Sequence, residues 1–166
     1  MVKSVTCSPL IGSRLDYANS VVYGMSSTNV ARLQRAQIAA ARVVVWGSRR
    51  PPVNSYSRLE QLRWLPINCR ITFKIACFTY KTVTTAQPTY LHSVLGHCIP
   101  SRRLSSSDCS LLCVPRVRTC FGSRGFSLAA PTIWNSLPLC IRSSPSLLSF
   151  RRQLKTFFHK LAFEGI

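Results

Sequence analysis

Carboxylates are scarce in this sequence: Asp16, Glu60, Asp108 and Glu164 are the only four among 166 residues. Phosphoryl transfer by two metal ions needs several carboxylate oxygens gathered around the reacting phosphate. Asp16 and Asp108 stand far apart and unaccompanied, so Asp16 is expected to pair with a nearby arginine such as Arg14, or to cap a turn. His92, His97, Cys98, Cys109, Cys113 and Cys120 offer the imidazole and thiolate groups that zinc prefers. Their spacing argues against a site, because no C-x-x-C occurs and Cys109-x3-Cys113 falls on an expected strand. Gly122-Ser123-Arg124-Gly125 is not a G-x-S-x-G elbow, no glycine-rich phosphate loop is present, and no aspartate is placed to orient a histidine. The reading is of a chain with no catalytic residue, no metal and no cofactor.

The cations point elsewhere. Twenty-two Lys and Arg against four acids give a formal charge of +18, which so few acids cannot neutralise internally. Such a surface calls for an external polyanion, and RNA or DNA backbone is the commonest one. An anionic membrane surface is the rival partner. The first candidate contacts are Arg32, Arg35, Arg42, Arg49 and Arg50, and the second are Arg151, Arg152 and Lys155. Trp46, Trp64, Trp134 and Tyr90 have π faces that stack on bases, but their apolar spacing points to core packing.

The elements that must position these cations are helices. Over residues 28–46, Val30, Leu33, Gln37, Ala40, Ala41 and Val44 fall within an arc of about 100°, and Arg32, Arg35, Arg42 and Arg49 within another of about the same width on the opposite side. A short helix is expected over 8–24, with Leu10, Leu15, Val21 and Val22 as its apolar members and Gly24 as a left-handed cap. The turn at Ser26 to Thr28 caps the next helix. Gly47 and Pro51-Pro52 then make a linker, and Glu60 to Leu65 forms a brief helical segment stopped before Pro66. A long helix over 67–83 places Ile67, Ile71, Ile75 and Phe78 on one apolar face and Phe73, Cys77 and Tyr80 on another, with Arg70, Lys74 and Lys81 between. Residues 109–122 read as a β-hairpin, with runs Leu111 to Val114 and Val117 to Phe121. Pro131 opens a turn carrying Ile133, Trp134 and Leu137, and Pro138 closes it. Ser144 and Pro145 then start a helix whose stripe is Leu147, Phe150, Leu154, Phe157, Phe158 and Leu161, with Arg151, Arg152, Lys155 and His159 on the adjoining side.

The fold class that follows is mainly α, a small helical domain with one hairpin-like segment near 109–122. Its parts are residues 1–50 with the arginine helix, 51–95 with the linker and central helix, and 96–166 with the hairpin, the tryptophan turn and the final helix; all three could form one domain. At 46% hydrophobic and 10% aromatic, the composition supports a real core. No apolar run reaches the length of a membrane span, and the N-terminus makes a poor signal peptide. An intracellular chain, in nucleus or cytoplasm, is expected, with its eight cysteines as free thiols.

Five stretches also carry a resemblance. The run AAPTIWNSLPLCIRSSPSLLSFRRQLK resembles the C-terminal region of LINE-type (non-LTR) retrotransposon reverse transcriptases, with its pattern "aFs.aaP.lWNsLP..iR...s...Fk..lk". Ser13-Arg14-Leu15-Asp16-Tyr17 with Asn19, Tyr23 and Gly24 is similar to that family's "SRLdYcNsllyG". Leu33-Gln34-Arg35-Ala36-Gln37 with Ala39, Ala40, Ala41 and Arg42 is similar to "LqrvQnaAaR". Leu59 to Lys74 is similar to "L..LhWLPv..RI.fK", and Gln87 to Leu91 to "aPeYL". The blocks stand in the family's order over residues 13–158, and the joint order is far more specific than any one block.

The resemblance implies a segment that follows the polymerase palm, with residues 8–50 at the end of the thumb or beyond it. Residues 59–160 would then be the C-terminal region, which holds the element's RNA and the target DNA. The aromatic-x-Asp-Asp turn of the family's palm is absent, so the chain is expected to lack the catalytic palm and the endonuclease, and to contact a palm outside itself. Its expected function is at most sequence-nonspecific RNA or DNA binding, without enzymatic activity. Because such elements are often copied with their 5′ ends lost, a translated remnant with no selected function is one alternative. A basic membrane-surface protein using the final amphipathic helix is the other.

Overall fold

The computed structural model describes residues 13–14, 16–17, 19–45, 54–96, 111–119 and 122–164. These residues are mainly helical: α1 (Ser27–Val45), α2 (Ser55–Gln61), α3 (Ile67–Thr85), α4 (Thr89–Val94), α5 (Phe126–Ser136), α6 (Leu139–Arg142) and α7 (Leu147–Phe163), with 3-10 turns at Asn19–Val22 and Gly122–Arg124. Their contacts divide the chain into two compact units, one of residues 1–71 with 155–166 and the other of residues 72–154.

In the first unit the described residues 13–14 and 16 of the expected helix over 8–24 are helical, with Tyr17 N–H bonded to Ser13 O, and a 3-10 turn follows at Asn19–Val22. Val21, expected to be buried there, is 78% exposed. Gly24 takes the left-handed conformation at φ 72°, as its capping role requires. The Ser26 carbonyl then accepts the amides of Asn29 and Val30 at 3.0 and 3.2 Å, starting α1. That helix buries Gln37 and Ala41 and packs on α2.

Helix α2 lies ahead of the segment expected at Glu60 to Leu65. Asn54 accepts the Tyr56 amide at 3.3 Å and caps the helix there. The chain leaves it through Arg63 at φ 51°, with the Trp64 amide on the Leu59 carbonyl at 2.8 Å. Leu59, Leu65, Ile67, Ile71 and, from the chain's end, Phe158 are buried.

The second unit is built on an aromatic cluster. Tyr80 and Phe150 stack with centroids 4.4 Å apart, and Trp134 lies 6.1 Å from Phe150 and 6.4 Å from Tyr80. Around them Ile75, Leu95, Leu112, Ile133, Leu137, Ile141 and Leu154 are buried. The Tyr80 hydroxyl donates to the Ser144 carbonyl at 2.6 Å, so the ring's polar end is satisfied.

Two helix starts in this unit differ from expectation. Helix α5 begins at Phe126, five residues ahead of Pro131, and holds that proline in its interior. Residues Ala129 and Ala130 are buried, and extending the helix back over them buries these small side chains together with the proline ring. This gain outweighs the one amide the proline cannot offer. Helix α7 is capped by Ser146, whose hydroxyl accepts the Ser149 amide at 3.2 Å, rather than by Ser144. Ser144 is buried instead, its hydroxyl bonded to the Ile141 carbonyl at 2.7 Å.

The hairpin near 109–122 is not formed among the described residues. Residues 111–119 hold no strand, only an isolated bridge at Leu112. The Leu112 amide donates to Asn135 Oδ1 at 3.0 Å and Asn135 Nδ2 donates to the Leu112 carbonyl at 2.9 Å, so a side-chain amide occupies the place of a partner strand. The Cys113 amide adds a bond to the Gly96 carbonyl at 2.7 Å. Pro115, lacking an amide, cannot continue a ladder beyond this point.

Candidate nucleic-acid interface

The arginine row of α1 is held outward by two glutamines on the opposite side. Gln34 Nε2 donates to Gln37 Oε1 at 3.0 Å, Gln37 Nε2 donates to the Leu65 carbonyl at 2.8 Å, and the Ile67 amide donates to Gln34 Oε1 at 2.9 Å. These bonds pin the helix to the turn that enters α3 and set its rotation about its own axis. Arg32, Arg35 and Arg42 are consequently exposed together, opposite the buried Gln37 and Ala41. Arg49 and Arg50, with Trp46, lie outside the described residues.

Asp16 does not pair with Arg14 as expected but with Arg70, 54 residues away. Arg70 Nε donates to Oδ1 at 2.9 Å, and Nη2 reaches Oδ2 at 2.8 Å. The two parallel bonds match the fork of the guanidinium to the carboxylate. Asp16→Ala is expected to lower stability by about 1–2 kcal/mol, since Arg70 is the more buried partner and is left without this acceptor. A urea midpoint unchanged from the parent protein would show the pair to be idle.

In the second unit Arg151 and Arg152 are exposed on α7, and Lys155, counted with the first unit, is exposed on the next turn of the same helix. The Arg151 guanidinium also lies close enough to Cys77 for its charge to act on the thiol. Burial pushes the Cys77 thiol up to about 11, and the Arg151 guanidinium opposes that rise without cancelling it. Burial also raises the Cys69 thiol. Cys69, Cys77, Cys113 and Cys140 are free thiols. Among the described residues no three His, Cys, Asp or Glu come together in a group able to hold a metal ion.

The aromatic residues divide unevenly. Trp134 packs in the core as its spacing implied, at 2% exposure, and Trp64 is half-buried. Tyr90, expected in the core, is 68% exposed on the short helix α4. Phe78, expected on the buried face with Ile71 and Ile75, is 42% exposed, with the Lys74 ammonium 5.9 Å from its ring centroid. The signal that could have flagged Phe78 was local: lysines stand four residues before it and three residues after it. Compared with family models, curated proteins and solved structures, the chain matches none of them.

Proposed function

We propose that this chain is a non-catalytic, basic RNA- and DNA-binding module related to the region that follows the palm in LINE-type reverse transcriptases. It grips phosphate backbone without reading sequence, acts in the nucleus or cytoplasm, and meets a palm domain outside itself. The observation that carries this reading is the row Arg32, Arg35 and Arg42, exposed opposite a buried face in a chain with 22 cations and four acids. One of those acids, Asp16, is already bound by Arg70. The residues behind the resemblance add support, because Gln34, Gln37, Trp134, Asn135 and Leu137 are the ones that pin α1 and build the second unit's core.

The rival membrane-surface reading is less well supported. No helix among the described residues is long and apolar enough to cross a membrane. Lying on a membrane through α7 would need its apolar stripe, and Phe150, Leu154 and Phe158 of that stripe are buried within the protein.

Each neutralised phosphate contributes about 0.9 to the slope of log affinity against log salt on duplex DNA. The double variant Arg32→Glu with Arg35→Glu should therefore lower the magnitude of that slope by about 2. It should weaken binding to unrelated sequences by a similar factor, measured by salt titration against labelled single-stranded RNA, duplex DNA and anionic vesicles. Unchanged nucleic-acid binding would remove α1 from the interface, and tighter vesicle than RNA binding at physiological salt would favour the membrane.

A further inference from the structure

The described part of residues 72–154 contains no Asp or Glu. On α3, Lys74 and Lys81 are seven residues apart and lie about 20° from each other around the helix axis, forming a row two turns long. Phe78 flanks this row on one side and Cys77 on the other. Phe78 keeps 42% of its surface in solvent, although a large aromatic gains most from burial. Its contact with Lys74, at 5.9 Å, sits at the outer limit of a cation–π interaction and is easily exchanged. On the Cys77 side the exposed Arg151 adds a third cation, whose charge acts on the thiol.

We infer that Lys74, Phe78, Lys81 and Arg151 form a platform for single-stranded nucleic acid, in which the three cations hold successive phosphates and an unpaired base stacks on Phe78. Charge complementarity selects a polyanion, and the exposed aromatic plane among the cations selects one that carries planar π faces. Paired bases in a duplex are already stacked and out of reach of the ring, so the platform discriminates single strands from duplexes, which the arginine row of α1 does not. When a strand binds, a phosphate draws the Lys74 ammonium off the ring and the base takes its place. This inference rests on the nucleic-acid reading above.

The test compares three labelled probes on the full chain: an oligothymidylate strand, an abasic strand of the same length with the same phosphates, and a duplex. Phe78→Ala and Phe78→Leu should each weaken oligothymidylate binding roughly tenfold, the loss of one stacked base. Abasic and duplex binding should fall less than about twofold. Phe78→Tyr should restore the strand affinity, and Lys74→Ala with Lys81→Ala should weaken all three probes and flatten the salt slope. Circular dichroism of each variant fixes that the fold is intact; Phe78→Leu keeps apolar bulk if the alanine variant does not fold. Equal losses on all three probes for the Phe78 variants, or none, would overturn the stacking platform while leaving the charge-based reading standing. No salt-dependent binding of any probe by the unaltered chain would overturn both.

Discussion

Phe150→Ala is expected to lower stability by about 3–5 kcal/mol, the largest effect of any single truncation proposed for this protein. Phe150 is 0% exposed and touches both other rings of the aromatic cluster, stacking on Tyr80 at 4.4 Å and lying 6.1 Å from Trp134. Removing it deletes the transfer free energy of a whole benzyl group and leaves a cavity lined by two rigid aromatics, which cannot collapse into the space. It also removes two ring–ring contacts worth about 0.5–1.5 kcal/mol each beyond their area. For a chain of this size the loss should appear as a fall in Tm on the order of 10 °C. The near-ultraviolet circular dichroism of Trp134 and Tyr80 should weaken in parallel. Phe150→Leu, which keeps most of the volume, should cost less than half as much; equal losses for the two variants would mean that filling the volume does not rescue the site and that the ring contacts, not the cavity, set the cost.

Gln37→Leu should cost about 2–3 kcal/mol although it replaces a polar side chain with an apolar one of similar size at a buried position. Such a change would be neutral or favourable if Gln37 were merely a polar intruder on an apolar arc. Its amide nitrogen, however, serves the Leu65 carbonyl at 2.8 Å and its oxygen serves Gln34 at 3.0 Å. Leucine leaves that carbonyl, at a buried residue, without this donor, and frees Gln34 from the geometry in which it accepts the Ile67 amide. Urea unfolding measures the loss. A gain in stability would show that the bonds are replaced by others and that packing alone orients α1. The same variant is a control for the interface, since the arginine charges are intact and the salt slope of RNA binding should be preserved as long as the helix forms.

Much of the architecture was legible because helical periodicity is a local property. The three- and four-residue recurrence of apolar side chains placed α1, α3 and α7 within a few residues of their observed bounds, and the same arithmetic put Arg32, Arg35 and Arg42 on the side away from Ala41. Gly24 was legible for the same reason, since a left-handed residue at a helix end needs no distant partner. Even Gln37 carried a signal, a glutamine set within an otherwise apolar arc.

Where a feature depended on what packs against it, local reasoning failed. Phe78 shares the register of Ile71 and Ile75, and periodicity assigns it their face; whether another element covers that turn of the helix is decided by tertiary contacts, and there none does so fully. Leu111 to Val114 has the β-prone composition of a strand, but strand formation needs a partner backbone over several residues, and the backbone N–H and C=O of residue 112 itself are taken by the side-chain amide of Asn135, 23 residues on. The start of α5 ahead of Pro131 follows from burying Ala129 and Ala130, a gain invisible until the core around Trp134 exists. Asp16 meets Arg70 rather than Arg14 for the same reason. The sequence by itself determined the basic charge, the scarcity of acids, the helical class and the outward side of α1, because these depend on composition and on a fixed rise and rotation per residue. Only the tertiary structure decided which polar groups meet across long stretches of chain and which aromatics remain in solvent, because those outcomes depend on the summed packing of elements that no local spacing encodes.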